Sequence, residues 1–351
     1  MGIPGEGACG GLNAKRQTPN AQRQSRSPPQ AAIAQCRRDR QPVRALPAAL
    51  LFDSAFLAKL EQLHLLARKI FRGEHHAERR SRQSGSSLEF ADYRNYSFGD
   101  DLRSIDWNVY ARLDRLFVKL FEKEQDLDVH FLIDASASMR WTPPSGENSK
   151  LNIQNSKFSQ GLKIAAALSY IALANLDRVN LAWFGATLGR DLGLSRGKSQ
   201  FHKVLDFLRA APAPEAPTAL LPSLRAFAQR MKRRGLVFVI SDCFDPAGYE
   251  EALSLLRYHQ FEVHIVQVLD PVELRPPVSG DLRLTECETG EVYEIAATEP
   301  LLARYHEQVD AFLRDLETFC LRRGIGYASA TTALPFEDLV LRVLRDGVML
   351  R

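Results

Sequence analysis

A short run of oxygen-bearing side chains is the most chemically suggestive feature of the sequence. Asp134, Ser136 and Ser138 alternate with alanines and are followed by Met139. One carboxylate and two hydroxyls suit Mg²⁺, which prefers octahedral oxygen coordination and keeps several water ligands; Mn²⁺ or Ca²⁺ are the alternatives. A simpler interpretation is a serine-rich turn that caps the next helix, because Asp and Ser are favoured at such positions.

Two further oxygen ligands are predicted on other loops. Thr218 precedes a predicted helix, and Asp242 directly follows an apolar run at 236–241. In a parallel sheet, ligands bind beyond the carboxyl ends of the strands, where such loops meet. A turn residue at the end of a strand is the alternative interpretation of Asp242. The predicted metal ligands are Asp134, Ser136, Ser138, Thr218 and Asp242.

The elements that would position these residues alternate between strand and helix from residue 127 onward. Apolar runs predict buried strands, and apolar residues at helical spacing predict helices. The predicted strands are 129–133, 179–184, 236–241, 261–269 and 325–330. The predicted helices are 157–177, 199–210, 219–233, 246–259, 299–323 and 335–345. This alternation indicates an α/β fold with a doubly wound, mostly parallel sheet.

Composition divides the chain into three predicted parts. Residues 1–47 are polar, basic and without periodicity, so we expect a disordered tail. Residues 48–125 begin with a helix near Asp53 and form a small α+β subdomain. Residues 126–351 form the α/β domain, with a hairpin inserted at about 279–296. The turn of that hairpin is predicted at Glu288-Thr289-Gly290.

Motifs before the acidic run make the sequence resemble one family in particular. They are Glu89-Phe90-Ala91-Asp92-Tyr93-Arg94, Gly99-Asp100-Asp101-Leu102-Arg103-Ser104-Ile105-Asp106-Trp107 and Arg112-Leu113-Asp114-Arg115-Leu116-Phe117-Val118-Lys119. Together with the Asp-x-Ser-x-Ser-Met run they resemble the bacterial domain of unknown function 58 over roughly residues 50–350. The resemblance implies a von Willebrand factor A-like fold carrying a metal-ion-dependent adhesion site (MIDAS).

The same resemblance implies roles for individual residues and for a partner. Asp134, Ser136 and Ser138 match the family's metal ligands in register, and Asp242 matches a residue that commonly acts through water. Thr218 departs from the pattern, since Ala216-Pro217 precede it where many relatives have two glycines. Genes of this family often lie beside one for a MoxR-type AAA+ ATPase.

Binding is predicted rather than catalysis. A site with few charged ligands leaves its cation under-neutralised, so the cation can accept an Asp or Glu from another protein. The expected partner is a MoxR-type AAA+ ATPase or an acidic client, in protein maturation or complex assembly. The alternative is a Mg²⁺-dependent hydrolase, which needs a general base near the reacting group. The sequence shows no nucleophile–base pair beside Asp134, so no catalytic residue is predicted.

Charge, cysteine content and hydropathy exclude several other classes. The net charge is +4; residues 1–46 carry eight Lys or Arg against Glu6 and Asp39, which leaves the remainder at −2. That balance does not support nucleic-acid binding by the body of the protein. Five widely spaced cysteines indicate reduced thiols and a cytoplasmic location. No apolar run is long enough to span a membrane. A loop resembling a nucleotide-binding P-loop at 193–199 lacks the first glycine, since Leu192 occupies that position.

Other conspicuous residues are predicted to be structural. Asp100, Asp101 and Asp106 are expected to cap turns or pair with neighbours rather than form a second acidic site. Trp107 and Tyr93 are expected to be packing residues. The adjacent His75-His76 are expected to bind nothing specific.

Overall fold

The computed structural model describes residues 35–36, 51–74, 89–122, 127–141, 156–213, 218–288 and 290–344. The predicted tail, apart from residues 35–36, and His75-His76 lie outside this part of the chain. The strands are β1 (Gln35–Cys36), β2 (Glu89–Asn95), β3 (Phe117–Glu122), β4 (Asp128–Asp134), β5 (Arg178–Phe184), β6 (Leu188–Asp191), β7 (Ser195–Arg196), β8 (Leu236–Ser241), β9 (Glu262–Leu269), β10 (Gly280–Thr285), β11 (Val292–Ala297) and β12 (Gly326–Thr331).

Helices precede, follow and connect these strands. They are α1 (Ser54–Glu74), α2 (Trp107–Leu113), α3 (Lys157–Ala174), α4 (Phe201–Arg209), α5 (Leu220–Arg230), α6 (Glu250–Tyr258), the single turn α7 (Pro271–Leu274), α8 (Glu299–Arg323) and α9 (Phe336–Val343). Within the described residues, no helix is both long enough and apolar enough to cross a membrane.

The central sheet has the order β12-β9-β8-β4-β5-β6, and β7 also pairs with β5. Every pairing is parallel except those of β6 and β7 with β5. If these six strands are numbered 1 to 6 in chain order, the sheet is 3-2-1-4-5-6 from β6 to β12. This is a doubly wound order, and the direction of winding reverses between β4 and β8. The predicted fold class, a doubly wound and mostly parallel α/β sheet, is confirmed.

The position of β4 at the centre of the sheet follows from its sequence. Its residues are all buried, because both faces of this strand are covered by helices. At its amino end, the Asp128 carboxylate pairs with the Arg178 guanidinium at 2.5 Å. At its carboxyl end, Ile133 lies beside Ile240 of β8, so the residues that follow both strands emerge next to each other.

Two hydrophobic cores cover the two faces of the sheet. One core contains residues of α1, α3, α4 and α9, and α3 is buried over most of its length. The second contains residues of α5, α6 and α8. Alternate residues of β4 point into opposite cores: Phe131 and Ile133 lie in the first, and Leu132 lies in the second. The helix α1 contributes to the first core, where the Phe56 and Phe336 rings lie 4.9 Å apart.

Strands β2 and β3 form a separate antiparallel pair with α2 between them in sequence. The structural roles predicted for three aspartates are confirmed here. Asp106 caps α2 by accepting the backbone N–H groups of Asn108 and Val109, Asp101 caps a 3₁₀ turn at Leu102–Ser104, and Asp100 accepts from Arg94 at 2.7 Å.

Tyr93 and Trp107, predicted to be packing residues, pack against single aromatic neighbours at the surface. The rings of Tyr93 and Phe117, and those of Trp107 and Tyr110, lie 6.1 Å apart. Trp107 is 60% exposed and Tyr93 is 39% exposed. Trp107 is the first residue of a helix whose described residues include none that is buried, so no core forms beneath it. The Tyr93 hydroxyl instead donates to the Asp106 carboxylate at 2.8 Å.

Candidate functional site at the carboxyl edge of the sheet

Asp134 is a fully buried polar residue at the carboxyl edge of the sheet. Its side chain is 0% exposed. One carboxylate oxygen accepts the Ser136 backbone N–H at 2.9 Å, and the other accepts the Ser241 hydroxyl at 2.6 Å. Both donors are neutral, and no ion pair between described residues involves Asp134. Burial, together with the charge of Asp242, therefore raises the pKa of Asp134 to about 7.

The two serine hydroxyls of the acidic run lie together beside Asp134. Ser136 Oγ and Ser138 Oγ are 2.9 Å apart, and both side chains are buried. Backbone N–H groups of Arg140 and Trp141 bond to carbonyls three residues earlier, so the loop turns tightly after Asp134. This turn brings hydroxyls two and four residues beyond Asp134 to the same end of β4.

Asp242 directly follows β8 and, unlike Asp134, forms an ion pair with a lysine. Its carboxylate pairs with the Lys157 ammonium at 2.9 Å, and Glu273 pairs with the same ammonium at 2.6 Å. Lys157 is 0% exposed. Burial alone would lower the pKa of Lys157, but the charges of Asp242 and Glu273 outweigh it and raise that pKa above its usual value.

The backbone around Asp242 is fixed by a sharp turn and by the neighbouring strand. Cys243 adopts a left-handed conformation, with φ of 62°, immediately after Asp242. Its N–H donates to the Ser241 hydroxyl at 2.9 Å. From β9, the Gln267 amide donates to the Asp242 carbonyl at 3.0 Å. A non-glycine residue in this region of backbone space needs support from its surroundings, which these hydrogen bonds supply.

Thr218 is buried at the start of α5 and contacts an acidic residue from the hairpin. Both its N–H and its hydroxyl donate to one oxygen of Glu288, at 3.3 and 3.2 Å. Asp245 holds the start of the helix by accepting the Leu220 N–H at 2.5 Å. The Ser138 side chain also lies near Glu288 and favours its ionised form. Glu288 therefore lies between Thr218 and the loop that follows β4.

All five residues predicted as ligands lie at this edge, but they are not all in mutual contact. Asp134, Ser136 and Ser138 form one hydrogen-bonded group. Asp242 is next to Ser241, which donates to Asp134, whereas Thr218 donates to Glu288. In the described part of the chain, no group of three or more His, Cys, Asp or Glu side chains is arranged to hold a metal ion.

Negative charge is in excess at this site. Six carboxylates lie at this edge, and in ion pairs between described residues they are matched by one ammonium group, that of Lys157. The carboxylates are Asp134, Asp242, Asp245, Asp270, Glu273 and Glu288. Burial raises the pKa of Glu273 to about 7 even though Lys157 opposes the shift. An oxygen-rich site with unbalanced buried charge fits a hard divalent cation, which supplies the missing positive charge.

Sequence reasoning missed Lys157, Ser241, Glu273 and Glu288. Lys157 is the first residue of α3, and Glu273 lies in α7, which follows β9. Only the folded chain brings the Lys157 ammonium into contact with both Asp242 and Glu273. A usable signal existed for Glu273, because Asp270 and Glu273 form a capping box directly after β9 at the same edge. The sequence analysis predicted Glu288 only as part of a hairpin turn.

A cavity of about 440 Å³ lies at the opposite edge of the sheet, beside Met231 and Phe261, and none of these site residues lines it.

Comparisons with known proteins show one family and several similar chains. Residues 92–312 match the family described as "Protein of unknown function DUF58". An uncharacterized protein of Mycobacterium tuberculosis is 26% identical over 253 residues, which cover 70% of this chain and 74% of that protein.

Two solved structures resemble parts of the chain at lower identity. An aerotolerance-related membrane protein from Bacteroides fragilis is 13% identical, covering 63% of this chain and 98% of that chain, with a TM-score of 0.37. A von Willebrand factor type A protein from Catenulispora acidiphila is 10% identical, covering 64% and 43% respectively, with a TM-score of 0.34. The fold described above rests on the strand order of this chain itself.

Proposed function

This chain belongs to the DUF58 family, and from that premise we propose that it is a protein-interaction module dependent on a divalent cation. The proposed ion is Mg²⁺, with Mn²⁺ or Ca²⁺ as substitutes. The residues that would hold it are Asp134, Ser136, Ser138, Thr218 and Asp242. When bound, the ion would neutralise the buried carboxylate of Asp134 and offer a coordination position to a carboxylate from another protein.

The observation that carries this proposal is the burial of Asp134 without a counter-charge. An ionised carboxylate in the interior is costly unless it is paired or bound to a metal. Asp134 has two neutral donors and is fully buried. A purely structural cap would serve equally well as Ser or Asn, which carry no charge. The retained negative charge therefore supports a role in cation binding.

Asp242 would take a different role from Asp134. Its carboxylate is already engaged by the Lys157 ammonium and by the Phe244 N–H at 3.2 Å. Such a group is suited to holding a water molecule beside the ion rather than contacting the ion directly. Lys157 would fix the orientation of the Asp242 carboxylate, and Glu273 would hold Lys157 in place.

The chemistry around Asp134 favours binding a partner over turnover. The group around Asp134 consists of hydroxyls, backbone N–H groups and carboxylates. Such a site recognises an acidic side chain. We propose an Asp or Glu of a MoxR-type AAA+ ATPase, or of an acidic client protein, as the group that is bound. The resemblance noted from the sequence supports this choice of partner.

Isothermal titration of Mn²⁺ into the full chain tests the proposal. We expect one site, and we expect Asp134→Asn to weaken binding at least ~10-fold, as loss of a metal-site residue commonly does. Asp128→Asn is the matched control, since Asp128 is a buried aspartate at the opposite end of the same strand. Equal affinity in the Asp134→Asn variant and the native chain would refute the proposal.

Capture of a purified MoxR-type ATPase by the full chain in Mg²⁺, compared with capture in EDTA, tests the proposed partner.

A Mg²⁺-dependent hydrolase is the second candidate, and Glu288 is the observation that favours it. This carboxylate lies at the site, and burial raises its pKa, as a general base would require. Phosphatase and ester substrates with Mg²⁺ or Mn²⁺ separate the two functions. Turnover that is lost in both Asp134→Asn and Glu288→Gln would favour the hydrolase, and no turnover would favour the binding module.

A further inference from the structure

The tip of the β10–β11 hairpin reaches the candidate site from outside the central sheet. Its strands pair antiparallel from Gly280 with Ala297 to Thr285 with Val292. The Glu286 N–H donates to the Glu291 carbonyl at 2.8 Å, which closes the tip. Glu288 lies in this tip, between the ends of the two strands, and accepts a hydrogen bond from the Thr218 hydroxyl.

Glu288 bonds to one of the predicted ligands and lies near a second. Thr218 donates to it through the N–H and the hydroxyl, at 3.3 and 3.2 Å, and the Ser138 side chain lies near it. Thr218 and Ser138 are two of the five residues that would hold the cation. A carboxylate held beside both is placed where a carboxylate from a partner protein would bind.

This placement is electrostatically unfavourable unless a cation is nearby. No ion pair between described residues involves Glu288. The negative charge of Asp242 acts on Glu288. Like charges that share a site repel, whereas a divalent ion between them converts the repulsion into attraction. The position of Glu288 therefore matches that of a metal ligand better than that of a purely structural side chain.

The hairpin is also packed lightly enough to move. Among the residues of its two strands, only Leu284 and Ala297 are buried. Displacing the tip would expose little hydrophobic core, and segments with few buried contacts open at low free energy. The fold can therefore release Glu288 without unfolding the central sheet.

We propose that Glu288 is a carboxylate ligand that the hairpin supplies to the cation site in cis, and that an acidic partner residue binds by displacing it. This inference rests on the proposed function and adds an internal competitor to it. The hairpin then sets the threshold for binding, because a partner must offer its carboxylate in a better geometry than Glu288 does. Partners that also contact the hairpin would be favoured over free carboxylates.

Bound Mn²⁺ reports on this arrangement directly, because relaxation of water protons counts the water ligands on the ion. We compare the full native chain with Glu288→Ala and Glu288→Asp, which keeps the charge but shortens the reach. Both variants should bind Mn²⁺ about 10-fold more weakly and show one additional water ligand. Added acetate should remove that extra water in the variants and leave the native signal unchanged. Glu286→Ala, a change in the same tip, is the control and should match the native chain.

Three outcomes separate the two proposals. An additional water and weaker binding in both Glu288 variants supports the inference. Asp134-dependent binding of Mn²⁺ with the same affinity and water count in Glu288→Ala overturns the inference and leaves the proposed function standing. Binding that does not depend on Asp134, or no binding to the native chain, overturns both.

Discussion

At the scale of single residues, Asp134 is a carboxylate kept at a thermodynamic disadvantage. Its two hydrogen-bond donors are neutral, and its surroundings exclude water. Its charge therefore destabilises the folded chain in the absence of a cation. Residues that lower stability in this way are characteristic of functional sites.

Asp134→Asn should consequently stabilise the protein when metal is removed. The amide oxygen can accept the Ser136 N–H, and the amide NH2 can donate to the Ser241 oxygen in place of the bond that the carboxylate accepts. The buried charge is removed, so we expect the free energy of unfolding in EDTA to rise by ~2 kcal/mol. In saturating Mg²⁺ this advantage should shrink by at least ~1.4 kcal/mol, because the native chain binds the ion at least ~10-fold more tightly. Urea unfolding in the two buffers measures both values. A lower stability of the variant in EDTA would contradict this account.

Lys157 differs from Asp134 because it is buried beside groups of opposite charge. It lies between Asp242 and Glu273 with no exposed surface. Lys157→Met should lower the free energy of unfolding by about 3–5 kcal/mol, because it leaves two buried carboxylates without a cation. Lys163→Met is the control, as Lys163 is a partly buried lysine of the same helix. Similar losses in the two variants would show that the buried ion pairs contribute little.

At the scale of elements, the close approach of β8 to β4 depends on a glycine. A Cβ at Gly235, just before β8, would lie 2.2 Å from the Asp128 carbonyl oxygen of β4. Gly235→Ala should therefore lower the free energy of unfolding by ~2–3 kcal/mol, the usual range for overpacking. Gly185→Ala is the control, because nothing lies within 4 Å of its added Cβ. Equal melting temperatures for Gly235→Ala and Gly185→Ala would contradict this packing.

The elements that were predictable from sequence are those whose pattern is local. Buried apolar runs such as Leu236–Ser241 give the strands of the central sheet, and the structure reproduces their bounds closely. The one-turn helix Pro271–Leu274 and the helix Trp107–Leu113 were missed, because seven residues or fewer carry too little periodicity. Trp107 was expected to be a packing residue, and it packs against Tyr110 at the surface, because none of the residues of its helix is buried.

The candidate site was predictable only where it follows a strand. Asp134 and Asp242 could be placed at one edge because the end of each strand is visible in the sequence. Lys157 and Glu288 could not, since their contacts span 85 and 70 residues and depend on the assembled fold. Predictions from strand ends therefore find the centre of such a site and miss the charges brought in from other elements.

At the scale of the whole molecule, a buried histidine sets part of the response to acid. His130 lies on β4 against the rings of Phe227 and Phe261. Burial, reinforced by the positive charge of Arg178, lowers its pKa to about 4. The folded chain therefore resists protonation at this position while the unfolded chain, with an ordinary histidine pKa of about 6.5, accepts the proton.

Stability should accordingly fall as the pH decreases from about 6.5 to about 4, because the unfolded state binds more protons in this window. We expect His130→Leu to remove about 3 kcal/mol of the decrease at pH 4. Urea unfolding from pH 7 to pH 4 measures it, with His202→Gln, a change at an exposed histidine, as the control. Parallel curves for the native chain and His130→Leu would show that His130 does not contribute.

The central claim is that a divalent cation binds where the loops after β4 and β8 meet. Crystals of the full chain grown with Mn²⁺, with anomalous diffraction measured at the manganese edge, locate the ion without any assumption about its ligands. The account predicts an anomalous peak within ~2.2 Å of the Asp134 carboxylate and the Ser136 and Ser138 hydroxyls, typical of a hard cation with oxygen ligands. No peak at Asp134, in crystals that contain Mn²⁺ elsewhere or not at all, would contradict it.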